Sequence, residues 1–248
     1  MVSVNSPQIR VTDPAAFGKA AADAISKALH AFSAPVAGLA SGATPMPAYA
    51  ALAERCGCGE PALGGIRGAF AIDEYVCPRD HPAANRAFFT RHWDCIAGAP
   101  PVQGFDPEAP DLAEEARRLS AAIAAAGGLD VVVLGIGING HLAFNEPGSA
   151  ADSPARLVRL EAATRLSAEA AFGQEPPAEG LTLGLGELLA ARRVVLLASG
   201  ERKAAIVARA LSGAVDAACP ASFLQLHRAV TVVLDSAAAG ILQAAIRK

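Results

Sequence analysis

Residues 131–148 read VVVLGIGINGHLAFNEPG. An unbroken apolar run such as 131–134, without alternation, suits a strand buried on both faces of a sheet, and the glycines that follow open a loop. The same pattern recurs outward from it. Short apolar runs lie at 36–40, 66–72, 194–198 and 230–234, and helical stretches at 45–55, 83–96, 112–126, 202–211 and 236–246. Near the start, Asp13-Pro14 has the chemistry of a helix cap and first turn, and Phe17, Ala21, Ala24, Ala28 and Phe32 form a stripe at helical spacing. Strands alternating with helices predict an α/β fold: a single three-layer domain, 1–248, with a mostly parallel, Rossmann-like sheet covered by helices on both faces. The Pro- and Gly-rich stretches at 98–110 and 173–180 read as loops, because the alternation resumes after each.

The 248 residues are 52% hydrophobic and 18% charged, enough for a sizeable core and too apolar for a disordered chain. No run approaches the roughly 18 uninterrupted apolar residues of a spanning helix. The opening MVSVNSPQIR lacks a basic start followed by an apolar stretch, so a cytoplasmic location without membrane attachment is expected. A net charge of −3 offers no basic field for nucleic acid. An anionic ligand must then be held by local donors. The five cysteines, Cys56, Cys58, Cys77, Cys95 and Cys219, follow no paired metal-ligand spacing and read as reduced packing residues.

In open α/β sheets ligands sit outside the carboxyl ends of the strands, which directs attention to four places. After the run at 131–134, residues 135–140 formally match the G-x-G-x-x-G dinucleotide fingerprint, with Glu161 about the right distance on. That fingerprint needs a long helix to start at its last glycine, and Pro147-Gly148 would stop one. The loop instead carries His141, Asn145 and Glu146 on a turn where they can converge on a small molecule; the competing reading has His141 capping the turn and Glu146 in solvent. At 39–45, LASGATP offers Ser41, Gly42, Ala43 and Thr44 before Pro45, either a phosphate-sized pocket of backbone N–H groups or an ordinary strand-to-helix turn capped by Thr44. At 71–75, Asp73-Glu74 ends an apolar run, where one of the two acids can serve as a base. At 198–203, Lys203 follows a strand end and can neutralise a phosphate.

The segments LASGATP, IDEY (72–75), LGIGINGHLAFNEPG (134–148), SGERKA (199–204) and PASFLQLH (220–227) occur in the order and spacing of the amino-sugar-phosphate deaminases/isomerases. The chain resembles the glucosamine-6-phosphate deaminases and galactosamine-6-phosphate isomerases over nearly its whole length. The related 6-phosphogluconolactonases usually lack the Asn-Glu-Pro-Gly continuation found at 145–148. The resemblance implies conversion of a hexosamine 6-phosphate to a ketose 6-phosphate and ammonia, with no metal or organic cofactor. It implies that Asp73 moves the C2 proton and that His141, supported by Glu146, opens the sugar ring. Ser41, Gly42, Ala43, Thr44, Gly137, Gly140 and Lys203 would hold the substrate, the phosphate lying by 42–44 and Lys203.

Two positions depart from the glucosamine pattern: Asn139 stands where Asp is usual, and Ala170 where some members carry a phosphate-side Arg. Asn139 belongs with the catalytic group by position, and with PASFLQLH it leans toward the galactosamine-type branch, which leaves the epimer open. A lactonase-type hydrolase and a catalytically silent sugar-phosphate-binding protein are the competing functions. The expected partner is a small sugar phosphate, and assembly into a homo-oligomer is compatible with everything above.

Overall fold

The computed structural model describes residues 6–172 and 177–246. In chain order the elements are β1 (Gln8–Thr12), α1 (Phe17–Leu29), β2 (Val36–Leu39), α2 (Met46–Gly57), β3 (Gly68–Ala71), β4 (Asp73–Tyr75), α3 (Asn85–His92), β5 (Val102–Gln103) and α4 (Leu112–Ala125). There follow β6 (Val131–Gly135), β7 (Arg156–Arg159), α5 (Ala162–Phe172), β8 (Glu179–Thr182), α6 (Leu185–Ala190), β9 (Arg193–Ala198), α7 (Ala204–Ser212), β10 (Val230–Asp235) and α8 (Ser236–Ile246). Among the described residues, seven strands form one sheet in the order β1-β10-β9-β6-β2-β3-β5, each neighbouring pair parallel.

Successive side chains on a strand face opposite ways, and in this sheet both ways lead inward. Val131 and Val133 of β6 join a cluster with Ile25 and Leu29 of α1 and Tyr49 and Leu52 of α2. Val132 and Leu134 join another with Leu119 and Ile123 of α4 and Val207 of α7. Helices therefore cover both faces, as the sequence predicts, and double burial is why the strands read as unbroken apolar runs.

Several boundaries differ from the sequence reading. The run at 66–72 holds a shorter strand than it suggests: β3 is Gly68–Ala71, and after Ile72 the chain turns into β4, which pairs antiparallel with β8, itself paired with β7. Strands of three and four residues are too short to show a period, so this second sheet has no sequence signature. Asp13 precedes a 3-10 turn, Pro14–Ala16, without any side-chain cap bond. Phe32 lies beyond α1 yet packs against the same cluster. Of the loop expected at 173–180, residues 173–176 lie outside the described residues and 179–180 begin β8. Cys77 and Cys219 are buried as packing residues, whereas Cys58 and Cys95 are exposed. Among the described residues no helix is long and apolar enough to cross a membrane.

Strand β2 has β3 on one side and β6 on the other, so the winding reverses at the β2/β6 pair. Such a reversal opens a crevice at the carboxyl edge. The loops at 40–45, 136–148 and 199–203, and the β3–β4 junction, all leave from that edge.

Gly184, just before α6, lies against the Ser153–Pro154 backbone, where a Cβ would overlap the Ser153 carbonyl. Gly184→Ala is expected to destabilise by about 1–3 kcal/mol, the usual cost of overpacking. The readout is a lower denaturant midpoint at unchanged slope. A midpoint equal to that of the wild type would show that the 153–154 loop yields freely.

Candidate active site

A cavity of about 280 Å³ occupies the carboxyl-edge crevice, and Gly42, Thr44, Asp73, Gly137, His141 and Lys203 all line it. Its walls thus come from each of the four places singled out in the sequence.

Asp73 opens β4, paired with Thr182 across the small sheet, and is only 8% exposed. Its Oδ1 accepts a hydrogen bond from Asn85 Nδ2 at 2.8 Å. Burial, and then the Glu74 carboxylate, push the Asp73 carboxyl up to about 7. Glu74 faces the other way, as strand alternation requires. It accepts the backbone N–H groups of Asn85 at 2.7 Å, Arg86 at 3.0 Å and Tyr75 at 2.9 Å. Burial dominates and pushes its carboxyl up to about 7 as well, with the three donors working against that rise. Glu74 is taken up by the start of α3 and does not line the cavity, whereas Asp73 does, so geometry leaves Asp73 as the member of the pair that can exchange a proton there.

His141 sits against Gly137, where any Cβ would overlap the imidazole ring. Its Nδ1 lies 3.3 Å from Glu146 Oε2 and 3.1 Å from the Thr164 hydroxyl. Two oxygen partners on Nδ1 select the tautomer with its proton there and leave Nε2 to exchange protons. Burial works against a charge on Glu146, but the His141 ring, the Thr164 hydroxyl and the Asn139 amide outweigh it and hold the carboxyl down at about 2. Asn139 Nδ2 donates to Glu146 Oε2 at 2.8 Å and to Glu161 Oε2 at 3.0 Å. The Asn139 side chain thus bridges two acids behind the ring, and its Oδ1 accepts the His141 backbone N–H at 3.3 Å. Glu161, noted in the sequence only for its distance from the glycine fingerprint, has its place here.

At the opposite wall, the chain turns through Gly42 at φ +99°, a conformation that favours glycine. The N–H groups of Gly42, Ala43 and Thr44 make no backbone hydrogen bond among the described residues, and α2 has no side-chain cap, so Thr44 does not serve as one. Unclaimed N–H groups and a hydroxyl beside a cavity suit an anion. Lys203 Nζ donates to the Ile136 carbonyl at 2.6 Å, and burial, then Arg202, lower its pKa. Ser41 is diverted: its hydroxyl donates to Asn85 Oδ1 at 2.7 Å.

Three residues of the glycine loop have scaffold positions. Gly140, at φ +91°, backs onto Cys219 and Ile206 and accepts the Ala221 N–H at 2.9 Å. It does not line the cavity. Asn145 is fully buried and donates to the carbonyls of Leu142 at 3.0 Å and Leu183 at 2.8 Å. Ala143, at φ 51°, holds a left-handed turn beside it. The side chain of Ala170 lies outside the described residues. Sequence reasoning missed Asn85, Thr164 and Arg91, all of which line the cavity. Thr164 and Asn85 reach their partners over 23 and 12 positions, beyond any local pattern.

Residues 12–233 match the family described as glucosamine-6-phosphate isomerases/6-phosphogluconolactonase. The chain belongs to this family. It is 42% identical over 243 residues to a glucosamine-6-phosphate deaminase of Mycolicibacterium smegmatis (strain ATCC 700084 / mc(2)155), covering 95% of this chain and 92% of that one. It is 44% identical over 215 residues to the glucosamine-6-phosphate deaminase of Rhodococcus opacus (strain B4), covering 84% and 82%. A solved monomeric glucosamine-6-phosphate deaminase superimposes with a TM-score of 0.89 at 29% identity, over 94% of this chain and 99% of that chain. The 6-phosphogluconolactonase of Trypanosoma cruzi shares the fold, with a TM-score of 0.77 at 22% identity over 97% and 99%. The family's members thus share one scaffold, and the groups around the cavity decide the chemistry.

Asn139→Asp would set a third carboxylate against Glu146 and Glu161, in place of a donor. The Glu146 carboxyl is then expected to titrate at least one unit higher than its value of about 2. Adding Glu161→Gln to the same chain should recover part of the shift. Carboxyl-carbon NMR titration of the three proteins checks both statements, and coincident titrations would show that residue 139 does not hold this cluster.

Proposed function

We propose that this chain is a hexosamine-6-phosphate deaminase/isomerase, one domain spanning 1–248, that converts glucosamine 6-phosphate to a ketose 6-phosphate and ammonia. The observation that carries the reading is the buried Asp73 carboxyl, held near neutrality in one cavity with a carboxylate-supported imidazole and an anion cradle. Relatives named as glucosamine-6-phosphate deaminases at 42–44% identity favour the glucosamine epimer. Asn139 is accounted for by its contacts to Glu146 and Glu161, so it need not signal another substrate.

The cradle at 42–44 and Lys203 bind the 6-phosphate. His141 Nε2 takes the proton of the anomeric hydroxyl and returns it to the ring oxygen, which opens the sugar to its aldehyde. Glu146 stabilises the imidazolium that forms on the way. Asp73 then removes the C2 proton: the C–H electron pair forms the C1–C2 double bond, and the carbonyl pair moves to O1, which takes a proton from solvent. Asp73 delivers its proton to C1 while the nitrogen lone pair forms an iminium at C2. Water adds there, ammonia leaves, and the carbonyl forms with release of one proton to solvent, which balances the proton taken up at O1. A base must be ionised in water yet basic enough to take a carbon-bound proton, and a carboxyl near 7 answers both needs at neutral pH.

Asp73→Asn keeps the shape and removes the basic oxygen. Turnover and solvent exchange of the C2 proton should fall by about 10²-fold or more, with phosphate-dependent binding largely intact. Exchange at the wild-type rate would remove Asp73 from the role. Lactone hydrolysis without ammonia release would support the lactonase reading, and binding without turnover a silent binding protein.

Thr44→Ala and Lys203→Ala should mainly weaken binding, each by roughly ten- to a hundredfold, the effect of losing a charge-assisted hydrogen bond. The measurement is KM for the phosphate ester beside that for unphosphorylated glucosamine. Equal efficiency on the two sugars by the wild type would overturn the cradle assignment.

A further inference from the structure

Asn85 lies at the first position of α3, 4% exposed, with its side chain on the cavity wall. Its Nδ2 donates twice, to Asp73 Oδ1 at 2.8 Å and to the Asp73 backbone carbonyl at 3.0 Å. Its Oδ1 receives the Ser41 hydroxyl at 2.7 Å. A backbone carbonyl accepts only, so the amide cannot flip without setting two acceptors face to face. The Ser41 bond on the other side agrees with this orientation. Asp73 Oδ1 therefore faces an N–H donor whatever the charge on the carboxyl, and a proton is favoured on Oδ2, because an Oδ1 that carried one would be a poorer acceptor for that N–H.

We infer that Asn85 is a positioning residue that reserves Asp73 Oδ2 as the oxygen that takes the substrate proton. The inference rests on the reading of Asp73 as the base, and it deepens that reading by assigning the exchanging atom. The amide fixes the plane of the carboxylate as well as its orientation, so the open lone pairs of Oδ2 face one place in the cavity. Ser41 then belongs to this relay, which explains why its hydroxyl turns away from the 42–44 cradle.

Donation to a carboxylate stabilises the anion, and losing the donor must raise the pH at which the base ionises. The other groups around Asp73 stay as they are. Glu74 and the Tyr75 phenol share its strand, and Tyr49 reaches it from α2; burial pushes both phenols up, so they remain neutral. Arg86 and Arg91 arrive on α3, and His141, backed by Glu146, and Lys203 line the cavity or its rear wall. Substituting the Asn85 side chain changes none of these charges and leaves the Asn85 N–H on Glu74.

The experiment compares pH profiles of kcat/KM on glucosamine 6-phosphate for the wild type, Asn85→Leu and Asn85→Asp. The acid limb, which reports the free base, should move up by about one pH unit in Asn85→Leu and further in Asn85→Asp, where a like charge replaces the donor. Asn85→Asp is nearly isosteric and keeps the test open if Asn85→Leu does not fold. Profiles that keep the wild-type limb and differ only in height would overturn the inference and leave Asn85 a purely structural residue. Asp73→Asn serves as the control. If it retains C2 proton exchange, the base assignment itself is lost; if it abolishes exchange while the Asn85 limbs stay in place, only the role of Asn85 is lost.

Discussion

Keeping water away from one carboxyl shapes the carboxyl edge of this molecule. A carboxyl in water ionises near 4, and at Asp73 burial and a neighbouring anion lift it to about 7. That environment has to be built from backbone as well as side chains, because open peptide groups would bring water with them. The small antiparallel sheet does this. Its β8 strand pairs with β4 from Thr182 to Gly180, and the Leu183 N–H closes on the Ile72 carbonyl at 2.8 Å. A single residue, Ile72, separates the parallel sheet from the antiparallel one, so Asp73 is carried from a strand end directly into a walled position.

The two acids of the cavity region are driven in opposite directions by the same low-dielectric surroundings. Glu146 is buried too, yet hydrogen-bond donors and the His141 ring hold it at about 2, whereas Asp73 has one amide donor and a carboxylate neighbour. The His141 ring, with the donors beside it, decides between them. Environments that separate the protonation states of nearby carboxyls are a means of assigning an acid and a base to one site. Asn139 fits this logic as a donor: at its place an amide satisfies Glu146 and Glu161 together, where an acid would compete with both.

Legibility in the sequence followed the range of the interactions. The β6 run and the loop after it were readable because burial on both faces leaves a continuous apolar stretch and because glycines mark the turn. Which glycine does what was not readable: Gly137 makes room for the His141 ring and Gly140 for Cys219, and both contacts depend on where the chain returns. Asp13 illustrates the converse, a good capping residue by type whose carboxylate makes no cap bond to the 3-10 turn that follows it. The exposed Cys58 and Cys95 likewise show that residue type alone does not settle burial.

By itself the sequence determined the alternation of strands and helices, hence a parallel sheet buried on both faces, and it marked the four strand ends that meet around the cavity. Periodicity and turn chemistry are local, and one chain displays them without reference to its folded form. Only the tertiary structure decided the partnerships: Ser41 with Asn85 and Asp73, Asn139 with Glu146 and Glu161, and Thr164 with His141. Those bonds span up to 44 residues and exist only after β2, β6 and β4 have been brought to one edge. Nothing in the spacing of the residues encodes them, because a hydrogen bond depends on where two side chains come to rest and on the burial that makes each need a partner.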